Sequence, residues 1–177
     1  MPAVLFIALA CLLLTACRND MDKILFFDRK DIPVQSLENV RALRSSKGKV
    51  QMLVTAPSAQ MYDKPERKSI YPEGFNMAIL EGSDNRVANI SADYAVSYDE
   101  KKIIEARRNV VVIDYRTGDT SYLESLVWNS AEHRIFSTDP VRSVNGQRIT
   151  YGDGFESDDE FTTPQILHQR GTMTIDE

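Results

Sequence analysis

The chain has 177 residues and a formal net charge of −5, which suits one domain with a modest core. It lacks the basic excess of a nucleic-acid binder, so no nucleic-acid partner is expected. Its two cysteines, Cys11 and Cys17, both lie at the N-terminus. The remainder is therefore expected to have no disulfide, and packing and sheet hydrogen bonds must hold the fold.

The first element is an uncharged apolar run from Val4 to Ala16. At this length it matches the core of a secretory signal peptide, whereas a spanning helix needs roughly 20 residues. The run ends in Leu13-Leu14-Thr15-Ala16-Cys17 and turns polar at Arg18-Asn19-Asp20. Leu at −3, a small residue at −1 and then Cys form the cleavage box of bacterial lipoproteins. Residues 1–16 are thus expected to be a signal peptide, and Cys17 the acylated, palmitate-bearing first residue of the mature chain. A departure is the n-region, which has no Lys or Arg. Residues 17–33 read as a tether of mixed charge ending at Pro33. Its Ile24-Leu25-Phe26-Phe27 patch is too short to insert stably in a membrane and is expected to cap the domain.

From residue 34 to 177 the pattern is that of strands. Val50, Met52, Val54 and Ala56 alternate with polar positions, and so do Ala88, Ile90, Ala92, Tyr94, Val96 and Tyr98. Period two means strands with one buried face. Tyr122, Glu124, Leu126 and Trp128 repeat it, with Glu124 as an intruder. Lys47-Gly48 marks one turn, and Asn145-Gly146, between apolar runs, is a strong hairpin signal. Ser36 to Leu43, with Leu37, Val40 and Leu43 three apart, reads as strand, with a helix as the alternative. The domain is predicted to be all-β.

The chain also repeats itself. Tyr62-Asp63, Tyr98-Asp99, Trp128-Asn129 and Asp158-Asp159 each open a unit: a turn, an apolar pair, a polar break, then an apolar strand. The breaks fall at Gly74, Asn109, Pro140 and Gly171. A period of about 31 residues with two or three short strands per unit implies stacked antiparallel hairpins, each needing its neighbours to bury a face.

Catalytic signals are thin. The two histidines, His133 and His168, lie in or beside turns without the partners a general base needs. Gly-x-Ser-x-Gly, phosphate-loop and His-Glu-x-x-His patterns do not occur. The acidic run from Asp153 to Glu160 fails calcium-loop spacing, since position 12 counted from Asp153 is Pro164. No enzyme activity, catalytic residue, metal or cofactor is expected.

Ala92-Asp93-Tyr94, Tyr98-Asp99, Ile104-Glu105-Ala106 and Asn109-Val110-Val111-Val112 resemble the repeat of periplasmic lipopolysaccharide-transport jellyrolls. Leu123–Trp128 with Phe136–Val141 resembles the next unit, and Gly152-Asp153-Gly154-Phe155 resembles a C-terminal element of the LptC family. The likeness runs from about Val40 to Ile175. It implies an open, V-shaped β-jellyroll of the OstA-like kind. It further implies an ABC transporter accessory protein that accepts lipopolysaccharide from an inner-membrane ABC transporter complex. Cargo then passes to a soluble periplasmic jellyroll relay protein. The lipoprotein-type box replaces the transmembrane helix of the best-known members. A lipid anchor on the periplasmic side of the inner membrane is expected, with the outer membrane left open. Lipid A acyl chains would travel along a greasy inner trough, for which Tyr94, Ile104, Val112, Leu126, Trp128, Tyr151 and Phe155 are the candidates. The terminal strand Gly171, Thr172, Met173, Thr174 and Ile175 is the expected docking edge for the relay. The alternative is a jellyroll lipoprotein that works as an assembly adaptor without holding lipid.

Overall fold

A computed structural model of the protein describes residues 32–46, 49–82 and 85–174. The expected signal peptide, Cys17, the patch at 24–27, the Lys47-Gly48 turn and Ile175 lie outside the described residues. Every regular element among the described residues is a β-strand. They are β1 (Gln35–Ser46), β2 (Lys49–Tyr62), β3 (Lys68–Tyr71), β4 (Phe75–Glu81), β5 (Asn85–Ala92) and β6 (Tyr94–Tyr98). They continue with β7 (Ile103–Asp114), β8 (Thr120–Asn129), β9 (Arg134–Asn145), β10 (Arg148–Asp158), β11 (Gln165–Ile166) and β12 (Gly171–Thr174). Ser36–Leu43 is strand, as read.

All twelve strands join one antiparallel sheet. β2 pairs with β4 through Met52–Thr55 and with β3 through Gln60–Tyr62. β7 pairs with β5 at one end and with β6 at the other, and β10 takes β12 and β11 in the same way. Each short pair is thus one long strand broken in the middle. The result is a meander of long strands, each bent across two arms that share one core. We call the arm holding β4, β5 and β12 arm A, and the arm holding β3, β6 and β11 arm B. This is an open β-jellyroll.

The bends have local causes. Gly74 (φ 122) separates β3 from β4, and Arg108 and Asn109 are both left-handed (φ 65 and 51) where the β7–β8 register shifts. Pro140 and Gly154 (φ 110) mark the same level in β9 and β10. Side chains span the crease. Asn109 Nδ2 donates to the Asp93 carboxylate, and Ser125 Oγ donates to Asp139 Oδ2 at 2.6 Å. Backbone groups that a bend removes from the ladder need partners, and the polar breaks supply them: Asp93 N–H donates to the Arg108 carbonyl at 3.0 Å.

The bends also decide which side chains face inward. Ala88, Ile90 and Ala92 are core residues of β5, but past Asp93 it is Ala95 that is buried in the core. In β8 the inward set switches from Ser121 and Leu123 to Leu126 and Trp128, with a register shift between Tyr122 and Val127. Glu124 is exposed, so its intrusion among apolar positions marks the bend. Because side chains alternate with period two, one extra residue moves the rest of a strand to the other face.

Candidate functional site

The candidate site is the inner face of the V. One cross-strand row there runs Ala42, Val54, Met77, Ile90, Val112, Ser121, Ser143, Thr150 and Thr172. Its first five members are apolar and its last four carry hydroxyls. A second row, on arm B, runs Met61, Ser69, Ser97, Ile104, Trp128, Ile135 and Ser157. The expectation of a uniformly greasy trough is therefore revised: small hydroxyl residues interrupt it. Ser121 Oγ donates to Ser143 Oγ at 3.0 Å, so the two buried hydroxyls satisfy each other.

Four of the seven expected groove residues, Val112, Leu126, Trp128 and Phe155, are core residues, and Ile104 packs against them. The other two are corrected. Tyr94 stands in the outer-face row Tyr94–Arg107–Ser125, with the Arg108 guanidinium 4.8 Å from its ring centroid. The bend at Asp93 turned it outward. Tyr151 lies in the outer row Val111–Tyr122–Arg142–Tyr151, because β10 changes face at the shift between Asp153 and Phe155.

Two cavities open on the inner side. The larger, about 430 Å³, lies at the C-terminal end between the Ser121–Thr172 hydroxyls and the apolar wall of Val112, Phe155, Phe161 and Ile166. This is within the roughly 300–1,000 Å³ of small-molecule pockets. Phe161, 1% exposed, sits over Phe155 with ring centroids 6.1 Å apart. The loop bearing it is tied to the β7–β8 turn by Arg116, whose Nη1 donates to the Phe161 carbonyl at 2.7 Å. The second cavity, about 350 Å³, lies at the arm B tips beside Trp128 and Ile104, with Arg44 and Lys102 on its rim. Tyr98 also lines it, and burial followed by the charge of Glu105 raises its phenol above the ordinary value. Deeper in arm B, burial and then Asp99 raise Tyr71 in the same direction.

The Gly152–Phe155 element has a packing reason. A Cβ at Gly152 would lie 2.4 Å from Ile166 Cγ2 and 2.5 Å from the Leu167 carbonyl. Only glycine lets β11 and the Leu167 backbone pass this close. Leu167 is then fixed by two backbone bonds, Asp153 N–H to its carbonyl (3.0 Å) and its own N–H to the Gly154 carbonyl (2.9 Å). β12 pairs with β10 along Gly171–Thr174, and among the described residues it pairs with no other strand. Thr172 lines the larger cavity, while Met173 is 55% exposed.

His133 is exposed and pairs with Asp159 (Nδ1 to Oδ2, 2.8 Å). His168 Nδ1 meets the Asp153 carbonyl at 3.0 Å. Neither lines either cavity. Among the described residues no group of three or more His, Cys, Asp or Glu is placed to hold a metal ion. The hydroxyl row and the Arg116 tie were missed in sequence. Ser121, Ser143, Thr150 and Thr172 stand on four different strands, and only the register of β8, β9, β10 and β12 lines them up.

No protein-family model matches the chain, and no curated protein matches it significantly.

Proposed function

We propose that this protein is a non-enzymatic, envelope-anchored lipid carrier. It accepts the acyl chains of lipopolysaccharide or a similar glycolipid from an inner-membrane ABC transporter and passes them to a soluble periplasmic jellyroll relay. The observation that carries this reading is the bent meander itself. Its inner face gathers apolar side chains of both arms into one cluster, and free volume remains between the arms at the C-terminal end. Acyl chains gain about 0.8 kcal/mol per CH₂ moved out of water, and the cavity of about 430 Å³ at the C-terminal end is where they would enter. The lipoprotein-type box ending at Cys17 fits an anchor that keeps the trough close to a membrane, on the periplasmic side of the inner membrane. The terminal strand from Gly171 fits a docking edge, because unpaired N–H and C=O groups accept a further strand.

One observation favours the structural adaptor instead. Met77, Ile79, Ile90 and Val110 are each at most 2% exposed, and so are Leu126, Ile135 and Val141, so the trough is filled from β4 to β9. Mass spectrometry of lipids co-purifying with the full chain from its native envelope separates the two. Stoichiometric glycolipid supports the carrier; its absence, with the relay still captured, supports the adaptor.

A further inference from the structure

The smaller cavity differs from the rest of the inner face in its charge. Arg44 reaches it from β1, where its pairing with Met52 sets it on the inner side. Its guanidinium carbon lies 4.9 Å from the centroid of the Trp128 ring. Lys102 reaches the same cavity from the β6–β7 turn. That turn is fixed: Ser130 donates to the Lys102 carbonyl through its N–H (3.0 Å) and its Oγ (3.1 Å). The other cation–aromatic pairs, at Tyr62, Tyr94, Tyr98, Tyr122 and Phe136, stand on outer-face rows. Among the described residues Arg44–Trp128 is the pair with both members lining the second cavity, whereas Tyr98 lines it without Lys101.

A second feature is independent of these charges. Trp128 is 7% exposed, and its indole Nε1 is buried without a hydrogen-bond acceptor among the described residues. A buried unmade donor costs about 1–3 kcal/mol, and each such group calls for an explanation. Indole can only donate. Arg44 and Lys102 can likewise only donate, and Ser97 adds a hydroxyl. What would satisfy this set is a group rich in acceptors and negative in charge. Asp99 at the rim is the opposing charge, which favours a site of moderate affinity over a tight one.

We infer that this cavity is a binding site for a phosphate-type oxyanion, held by Arg44 and Lys102 and accepting from the Trp128 indole once the guanidinium tilts off the ring. The apolar walls at Ile104 and Trp128 lead into the core, so an oxyanion carried on an acyl chain fits better than a free one. That preference rests on the lipid-carrier reading; the oxyanion site itself does not.

The chain has one tryptophan, so emission from Trp128 reports this cavity directly. The full chain is held in micelles of dodecyl maltoside, which carries no phosphate, and titrated with octyl phosphate, octyl glucoside and inorganic phosphate. Octyl phosphate should shift the emission saturably and octyl glucoside should not. Arg44→Gln and Lys102→Gln should each raise the midpoint at least about tenfold, as expected for losing a charge-assisted hydrogen bond. Arg44→Lys should retain part of the binding, and outer-face Arg142→Gln should change nothing. Inorganic phosphate reaching the same midpoint would support the oxyanion site and assign it to a free anion. Equal binding of octyl glucoside, unchanged midpoints in both Gln variants, or no response to any probe would overturn the inference. The lipid-carrier reading would then still stand or fall on the co-purified lipid.

Discussion

Gly152→Ala tests how β11 and the Leu167 backbone are held. The added Cβ would sit 2.4 Å from Ile166 Cγ2 and 2.5 Å from the Leu167 carbonyl oxygen. Ordinary contact begins near 3.4 Å, so the segment must retreat by roughly 1 Å. The Ile166 methyl can rotate away, but the Leu167 carbonyl is backbone and accepts from Asp153 N–H. Overpacking of this kind costs about 1–3 kcal/mol, and each backbone bond given up in the retreat adds about 1 kcal/mol net. β11 and β12 pair only with β10 among the described residues, so the strain is relieved by undocking them. Hydrogen exchange should show lost protection at 165–174 while β4, β5 and β7 stay protected. The melting temperature should fall by roughly 2–4 °C for each kcal/mol. Gly171→Ala is the control, since its Cβ meets nothing within 4 Å. Full protection of 165–174 in the Gly152→Ala protein would refute the close-approach account.

Ile135→Ala, at a site with 0% exposure, should lose about 2–5 kcal/mol in denaturant unfolding; a loss under 1 kcal/mol would mean the arms are not packed there. Tyr71 has its pKa raised by burial and then by Asp99. The unfolded phenol ionises near pH 10 while the folded one stays neutral, so its contribution is present below that pH and is lost as pH rises. Tyr71→Phe should flatten the alkaline limb of the stability curve, and an unchanged limb would place the cause elsewhere. Cys17→Ala should abolish incorporation of labelled fatty acid, and persisting label would locate acylation at another residue. Deleting residues 171–177 should abolish capture of a jellyroll relay in a pull-down while circular dichroism stays that of a folded β-protein. Undiminished capture would move the docking surface away from this edge.

Most of the fold was legible because strands announce themselves locally. Alternation at Val50–Ala56 and the apolar run Val110–Ile113 needed no tertiary knowledge, and neither did the turn signal before Arg148. The breaks at Gly74, Asn109 and Pro140 were visible as well, and they fall along the crease. Their effect on side-chain direction was not legible. Alternation counted straight through Asp93 puts Tyr94 with Ile90, yet the bend sends the tyrosine to the outer face. Tyr151 was misplaced in the same way, by the shift before Phe155. Glu124 held the clue, since a carboxylate on a supposed buried face signals that the face has changed. The second cavity was legible only in its apolar wall, Ile104 and Trp128, and not in its charges. Arg44 and Trp128 are 84 positions apart in sequence, and only the register of β1 brings a surface-looking arginine to the inner side.

The central claim is that lipid travels on the inner face, and photo-crosslinking in cells tests it most directly. A crosslinking side chain at Ile104, Trp128 or Thr150 should capture glycolipid while the transporter is supplied with ATP. The same group at Tyr94 or Tyr151, on the outer face, should capture none. Equal capture at inner and outer positions, or capture at Tyr94 and Tyr151 alone, would contradict the account.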